Sequence, residues 1–164
     1  MSTYMTRVLF DALTPKQARI AAVLHIEGAQ RGVEVVVTCR DYMHVADMLE
    51  LYGVPHRCVG RYGVSLYEKL VYGLERQRAL ADVAVEVDAM VGFPSPDAAR
   101  VVFGLGKPLV VLNDTPHAHH VNRLVIPLSD VLVAPAATPE EAWRRYCPRR
   151  VVTFDGVFEY MWTS

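Results

Sequence analysis

Short apolar runs rich in β-branched residues alternate along this chain with longer segments that have the period of amphipathic helices. The runs predict strands at Arg7–Leu13, Val33–Arg40, Arg57–Gly60, Ala89–Phe93, Pro108–Asp114, Asp130–Ala136 and Arg150–Gly156. Helices are predicted between them, the first three over Lys16–Gln30, His44–Gly53 and Leu66–Val87. Because the strands are apolar without alternation, both faces of the sheet should be covered. The pattern therefore predicts the α/β class, with a doubly wound, mainly parallel, Rossmann-like sheet of about six or seven strands.

A hydroxyl residue followed by proline recurs where four of the predicted helices begin. The pairs are Thr14-Pro15, Ser95-Pro96, Thr115-Pro116 and Thr138-Pro139. The hydroxyl can cap free backbone N–H groups, and proline at the first helical position loses no hydrogen bond. Gln17 and Glu141 stand three residues after Thr14 and Thr138, which also fits a capping box. The first three pairs follow strand ends, at the edge where sheets of this type bind ligands.

Composition narrows the classes of function. The chain has 164 residues, which suits one domain with a substantial core. Its net charge of -1 gives no reason to expect a nucleic-acid partner, and its mean hydropathy is +0.16. No apolar run approaches the roughly 18 residues of a membrane span, and the N-terminus lacks the apolar stretch of a signal peptide. We therefore expect a cytoplasmic protein without a membrane span.

The chain has three cysteines, Cys39, Cys58 and Cys147, and no CxxC pair. Neither a zinc knuckle nor a thioredoxin-like motif is therefore present. Cys39 and Cys58 fall on strands that could be neighbours, which leaves a disulfide open. Buried free thiols are the favoured interpretation, because a reducing compartment is expected.

Polar residues follow most of the predicted strands, and a parallel sheet brings these positions to one edge. They are Asp11, Thr14, Lys16, Arg40, Asp41, Arg61, Tyr62, Ser95, Asp97, Arg100, Asn113, Asp114, Thr115, His117, Asp155 and Glu159. Every βα loop is polar, so their joint placement matters more than any single residue. The loops lack the GxGxxG dinucleotide motif, the GxxxxGK[ST] phosphate loop and a complete nucleophile elbow.

Three histidines, His117, His119 and His120, follow the fifth predicted strand closely. On a helix starting at Thr115, His117 and His120 would be about 60° apart and His119 would face solvent. All three rings therefore cannot bind one ion, although a pair of histidines with Asp114 stays open. His117, in the first helical turn beside Asp114, suits an acid–base group, and a hydrated loop histidine is the alternative.

Six motifs carry a resemblance that covers nearly the whole chain. They are FDALTPKQA, VVVTCRDY, LYGV with GRYG, SPDAARVVFGLGKP, LNDTPHAHHVNRLVIPLSDVLVAP and FDGVFEY. In this order they resemble the N-terminal half of domain of unknown function family 354, which is similar to UDP-N-acetylglucosamine 2-epimerases and GT-B glycosyltransferases. Many relatives have a PHVH-type loop where this chain has Pro15-Lys16-Gln17-Ala18, so a first-loop histidine role is not transferred.

The resemblance implies a two-domain enzyme with a cleft between two Rossmann-like halves. Residues 1–164 would form one such domain, the N-terminal wall of the cleft, which supplies acceptor contacts and some catalytic groups. The implied catalytic residues are Asp114 and His117. The implied substrate-binding residues are Lys16, Arg40, Arg61, Ser95, Arg100, Asn113, Asn122 and Glu159. No cofactor and no resident metal are implied.

Three hypotheses follow. In the first, the chain is the acceptor-side half of a sugar-nucleotide enzyme, inactive alone, with a nucleotide-sugar or glycan ligand and a C-terminal partner domain. In the second, it is a stand-alone binding module that forms a homo-oligomer through an apolar surface. The third is a small metallohydrolase that uses Asp114, His117 and His120.

Overall fold

A computed structural model describes residues 5–163 and contains one sheet of seven parallel strands in the order β3-β2-β1-β4-β5-β6-β7. The strands are β1 (Thr6–Ala12), β2 (Val33–Asp41), β3 (His56–Arg61), β4 (Ala89–Gly92), β5 (Leu109–Leu112), β6 (Val131–Pro135) and β7 (Val151–Phe154). The helices are α1 (Pro15–Gln30), α2 (Val45–Leu51), α3 (Leu66–Ala84), α4 (Pro96–Gly104), α5 (His119–Val125) and α6 (Glu141–Arg144). Two short 3-10 turns span Ile126–Leu128 and Phe158–Trp162.

Helices cover the sheet on both faces, as the continuous apolar strands predict. On one face, α1, α2 and the Phe158–Trp162 turn form a core with Phe10 and Val37. On the other face, α3 to α6 form a second core around Leu9 and Trp143. The prediction of a doubly wound, parallel α/β sheet is confirmed.

The strand order locates the edge at which ligands bind in such sheets. β1 pairs with β2 on one side and with β4 on the other, so the chain reverses its direction of winding between β1 and β4. The loops after these two strands separate there and leave a crevice at the carboxyl ends. Asp11, from the end of β1, and Ser95, just before α4, meet there through a hydrogen bond of 2.6 Å.

Two of the four hydroxyl–proline pairs begin helices. Thr14 and Ser95 are the N-caps of α1 and α4, and their side chains accept from the N–H groups of Gln17 and Ala98. Gln17 does not complete the predicted capping box, because its side chain accepts from Leu13 N–H at 2.6 Å and not from that of Thr14.

The other two predicted helix starts are wrong. After Thr115-Pro116 the chain makes a turn, and α5 begins only at His119. After Thr138-Pro139 a similar delay places the start of α6 at Glu141, without a side-chain cap. A hydroxyl–proline pair also suits tight turns, where proline fixes the same φ, so the local sequence does not separate the two outcomes.

The third helix, α3, ends at Ala84, whereas the sequence predicted its end at Val87. Its beginning is a complete capping box, in which Ser65 Oγ accepts from Glu68 N–H and Glu68 accepts from Ser65 N–H. The glycine with which the second helix was predicted to end, Gly53, adopts a φ of 65°, the left-handed conformation that glycine allows after the last turn of α2.

The cysteine prediction is confirmed in part. All three thiols are free, and Cys39 alone is buried, while Cys58 and Cys147 are exposed. Within residues 5–163, no helix is both long and apolar enough to cross a membrane.

Candidate functional site

A buried carboxylate organises the crevice between β1 and β4. Asp11, at 0% exposure, accepts from Thr38 Oγ1 at 2.7 Å and from Ser95 Oγ at 2.6 Å. Arg76 of α3 donates to the two oxygens of Asp11 at 2.5 and 2.9 Å, and its Nε donates to the Val59 carbonyl at 2.8 Å. Charged donors in this bidentate arrangement bind strongly and fix geometry. The network therefore joins β1, β2, α3 and the loop before α4 into one rigid edge.

Electrostatics around this network are set by burial and by the Asp11 charge. Burial acts to lower the pKa of Arg76, but the charge and hydrogen bonds of Asp11 outweigh it, and the pKa is raised. Asp97 lies 3.7 Å from Arg76 Nη1, and burial raises the pKa of its carboxyl group. Arg76 thus stays charged between two carboxylates.

A second cluster lies on the α1 side of the edge. Lys16 Nζ lies 2.5 Å from Asp114 Oδ2 and 2.6 Å from Glu159 Oε1. The same ammonium lies 5.6 Å from the Phe93 ring centroid and 6.0 Å from that of Phe158. This Lys16 cluster joins three residues that the sequence placed in different loops. All three side chains are partly exposed, so a ligand can reach them.

The charges in the Lys16 cluster depend on one another. Burial acts to lower the pKa of Lys16, but hydrogen bonds to Asp114 and Glu159 outweigh it and the pKa is raised. The hydrogen bond from Lys16 lowers the pKa of Glu159. One cation therefore stabilises two carboxylates, and a ligand that displaces either carboxylate from Lys16 would leave it as a free hydrogen-bond acceptor.

Two asparagines hold the loop after β5 in shape. Asn113 Nδ2 donates to Asn122 Oδ1 at 2.9 Å, and Asn113 Oδ1 accepts from Thr115 N–H at 2.9 Å. Asn122 Nδ2 donates to the Thr115 carbonyl at 3.0 Å. Both asparagines are buried and are out of reach of a ligand in this arrangement. Their side chains instead fix the loop that carries Asp114.

The histidines occupy other positions than a helix from Thr115 predicts. His117 is exposed and precedes α5 by two residues, so the first-turn argument for its acid–base role no longer applies. His119 is exposed, as expected, although it lies in the first turn of α5 and its Nδ1 is 2.5 Å from Tyr146 OH. That hydroxyl donates to the Pro116 carbonyl at 2.6 Å, which leaves His119 as the donor.

No group of three His, Cys, Asp or Glu side chains suited to a metal occurs within residues 5–163. The set Asp114, His117 and His120 therefore does not form a metal site in the described part of the chain. Asp114 is instead held by Lys16 and by Thr115 Oγ1, which donates to its Oδ1 at 2.9 Å.

A pocket of about 480 Å³ lies on the α3 side of the same edge. We call it the tyrosine pocket, and its walls include Arg40, Arg61, Tyr62, Lys69, Asp97 and Leu124. The rings of Tyr42 and Tyr62 stack with centroids 4.2 Å apart. The Arg40 guanidinium lies 4.8 Å from the Tyr62 centroid, and that of Arg61 lies 4.0 Å from the Tyr72 centroid.

The predicted substrate-binding residues therefore divide into three groups. Lys16, Arg40, Arg61 and Glu159 are accessible at the edge, whereas Ser95, Asn113 and Asn122 are buried. Arg100 is exposed, but its Nη1 lies 2.6 Å from where a Cβ on Gly104 would stand, so it follows α4 away from the edge. Because Ser95, Asn113 and Asn122 are buried, their positions do not favour contact with a ligand.

Four residues of these networks were not among the predicted site residues: Thr38, Tyr42, Lys69 and Arg76. A signal existed for Arg76, which is in helical phase with Leu80 and the rest of the apolar stripe of α3. A charged residue in that phase is buried only with a partner, and Asp11 is that partner.

Comparison with solved structures finds the same fold within longer proteins. The chain aligns over 90% of its length with UDP-GlcNAc 2-epimerase from Neisseria meningitidis bound to UDP-GlcNAc, at 14% identity and a TM-score of 0.68. It aligns over 93% of its length with Acinetobacter baumannii MurG, at 15% identity and a TM-score of 0.63. At these identities the likeness concerns the fold. The chain spans 46% and 45% of those two structures.

Sequence comparison gives a nearer relative. The chain is 32% identical over 132 residues to the uncharacterized protein MJ0665 of Methanocaldococcus jannaschii, covering 79% of this chain and 39% of that protein. The family model described as "Protein of unknown function (DUF354)" matches residues 19–163. The chain therefore belongs to the DUF354 family, as its motifs predicted.

Proposed function

We propose that this chain forms the acceptor-side wall of the cleft in a sugar-nucleotide enzyme, of the glycosyltransferase or epimerase kind, and has no turnover alone. The observation that carries the proposal is the Lys16 cluster, accessible at the carboxyl edge of the sheet beside its switch point. Ligands of doubly wound sheets bind at this edge. The similar structures include one bound to UDP-GlcNAc, and the chain spans under half of each.

Within this proposal, Asp114 is the residue best placed to accept a proton from a substrate hydroxyl or carbon. Thr115 Oγ1 donates to one of its oxygens, and Lys16 Nζ donates to the other, so the carboxyl group is fixed in orientation at the edge. Glu159 and Lys16 would bind sugar hydroxyls. His117 stays a predicted acid–base group, exposed and without the helix terminus that motivated it. A cytoplasmic location and a C-terminal partner domain accompany the proposal.

Reconstitution tests it. The chain is mixed with the separately expressed C-terminal part of the archaeal relative, and UDP-GlcNAc is titrated by calorimetry into the mixture and into each part alone. We expect binding in the mixture only. If the associated pair, verified by size-exclusion chromatography, takes up no UDP-sugar, the proposal is rejected.

The catalytic role has a separate test in the reconstituted pair. Asp114→Asn should lower release of UDP or epimerised sugar by about 100-fold or more, the usual contribution of a general base. Asp82→Asn is the matched control, since Asp82 is exposed on α3 and pairs only with Arg78 in the described contacts. Equal turnover in both variants would remove Asp114 from the mechanism.

A second candidate function, a stand-alone module that dimerises, is favoured by one observation. The α1 face of the sheet has an apolar hollow of about 240 Å³, lined by residues that include Val8, Leu24 and Val91. Light scattering across a concentration range discriminates, because this function requires a defined dimer of the chain alone. Replacement of Val91 with Glu should then give monomers.

A further inference from the structure

We propose that the tyrosine pocket binds the phosphate group of an organic phosphate ester that serves as the acceptor. The inference rests on the proposed function, because it names the chemistry of the acceptor on this wall of the cleft. It concerns a different group of residues from the Lys16 cluster and can be tested on the chain alone.

The first argument is charge. Three cations, Arg40, Arg61 and Lys69, line the pocket, and within residues 5–163 no carboxylate oxygen lies within 4.0 Å of any of them. Asp97 is the carboxylate on the pocket wall, and it lies near Arg76 and accepts from Gln77 Nε2 at 3.3 Å. The charges of Asp11 and Asp97 act on Arg40, and Arg61 acts on Glu68, over longer distances. Since none of the three cations is held in a close ion pair within the described residues, their N–H groups stay open to an anion in the pocket.

The second argument is how these cations are held. Arg40 lies 5.3 and 4.8 Å from the centroids of Tyr42 and Tyr62, and Lys69 Nζ lies 5.1 Å from that of Tyr62. Aromatic faces attract cations and fix their positions, but they leave most of the N–H groups without acceptors. The donors stay available for an anion, in a preorganised arrangement.

The third argument is an unsatisfied donor. Arg40 Nε is buried and has no hydrogen-bond partner among the described residues. Burial lowers the pKa of Arg40, and the nearby charge of Arg76 lowers it further. A buried cationic donor without an acceptor costs free energy, and a rotation of the Arg40 side chain toward an anion in the pocket would supply the missing acceptor.

The choice of phosphate follows from the number of charges. A phosphate ester carries between one and two negative charges at neutral pH and offers three acceptor oxygens, whereas a carboxylate offers one charge and two oxygens. Three cations around one pocket match the phosphate better. Guanidinium groups also bind phosphate in a bidentate manner.

The apolar part of the pocket argues for an ester over the free ion. Leu13, Leu70, Pro94, Val121 and Leu124 line it, and its volume of about 480 Å³ exceeds the need of inorganic phosphate. Pockets of this size bind small organic molecules, with a few polar groups that orient them. The organic portion of the acceptor would contact this apolar wall.

Calorimetric titration of the 164-residue chain with phenyl phosphate tests the proposal, with phenol, inorganic phosphate and UDP in parallel. We expect phenyl phosphate to bind at least tenfold tighter than phenol or inorganic phosphate, and more weakly as salt increases. Equal affinity for phosphate and its ester would reduce the pocket to a general anion site and overturn the proposal. Tighter binding of UDP than of phenyl phosphate would assign the pocket to a donor and also overturn it.

Variants locate the site. Arg40→Met and Arg61→Met should each weaken phenyl phosphate binding about tenfold or more, since a hydrogen bond to a charged group is lost. Arg78→Met, an exposed position on α3 outside the pocket, is the matched control and should bind as the wild type. Circular dichroism verifies folding, and Arg61 is exposed, so its replacement is tolerated. Wild-type affinity in both pocket variants would contradict the proposal, whatever the reconstituted pair does with UDP-sugar.

Discussion

Individual residues in this chain act through partners that are distant in sequence. Asp11 and Arg76 are separated by 65 positions and form the ion pair of the crevice, with exposures of 0% and 1%. The sequence predicts that Asp11 lies near the end of a strand and that residue 76 lies on a helix. It does not predict their contact, because pairing depends on how α3 packs on the sheet. By contrast, Lys16 and Asp114 were predicted at the same edge, since strand order alone brings their loops together.

Replacement of one member of the buried pair should destabilise the protein strongly. Arg76→Met leaves the Asp11 charge buried without its main partner, which costs about 3–5 kcal/mol. Urea denaturation measures the loss. Arg78→Met, exposed on the same helix, should change stability by about 0.5 kcal/mol or less. The double variant Asp11→Asn with Arg76→Met should be more stable than Arg76→Met alone, and a simple sum of the single effects would contradict the coupling.

Cys39 should be unreactive in the folded protein. Burial, followed by the influence of Cys58, raises its pKa to about 12, so the thiol stays protonated near pH 8. A thiol-specific chromogenic reagent at pH 8 should label Cys58 and Cys147 in the native chain, and Cys39 only after unfolding. Mass spectrometry of tryptic peptides assigns the labels. Rapid native labelling of Cys39 would contradict its burial, and a Cys58→Ser variant controls for exchange between the two neighbouring thiols.

At the scale of elements, the order and the type of most strands and helices follow from the sequence, while helix beginnings do so less often. Thr14-Pro15 and Ser95-Pro96 cap helices, but Thr115-Pro116 opens a turn that Asn113 and Asn122 stabilise. The decisive hydrogen bonds come from side chains outside the pair. The predicted start of the helix that carries the histidines was therefore wrong, because it depends on hydrogen bonds from residues outside the Thr115-Pro116 pair.

The capping box of α3 gives a prediction at this scale. Ser65→Ala removes the acceptor for Glu68 N–H and should cost about 1 kcal/mol of stability, measured by urea denaturation. Glu75→Gln, at an exposed position in the same helix, is a control that should leave stability nearly unchanged.

The same box should make α3 sensitive to acid. Hydrogen bonds from the Ser65 and Val64 N–H groups lower the pKa of Glu68 from its ordinary 4.5. Since the folded state prefers the ionised carboxylate, this stability is complete above the unfolded pKa and is lost as pH falls through the folded pKa. Glu68→Gln should flatten the fall in urea midpoint below pH 4.5, relative to the wild type. An unchanged acid profile would contradict the role of the carboxylate.

For the whole molecule, the sheet makes the two cores interdependent. Trp143 lies in the core beneath α3 to α6, and Trp162 packs against the core beneath α1 and α2. Both cores share the seven-stranded sheet, so neither should persist without the other. The fold class was predictable because each strand carries its own apolar signal, whereas this interdependence depends on the finished sheet.

Cooperative unfolding can be measured with the two tryptophans as separate reporters. In Trp162→Phe, the fluorescence of Trp143 should change at the same urea concentration as the far-ultraviolet circular dichroism of that variant. The Trp143→Phe variant, which leaves Trp162 as the reporter, should show the same coincidence, at a lower midpoint because Trp143 is fully buried. Separate transitions within one variant would show that the two faces unfold independently.

The shared carboxylate of Asp11 also limits how this edge can change over evolutionary time. Thr38 of β2, Arg76 of α3 and Ser95 before α4 all donate to this carboxylate. A substitution at one of these positions therefore leaves buried hydrogen-bonding groups of the network without partners. Thr38, Arg76 and Ser95 should therefore be inherited together with Asp11 as one epistatic unit. Among the described residues, the cations of the tyrosine pocket share no hydrogen-bond acceptor, so replacement of one leaves no buried polar partner unsatisfied. Among related proteins, residues of the tyrosine pocket are then expected to vary with ligand preference, while the Asp11 network stays unchanged.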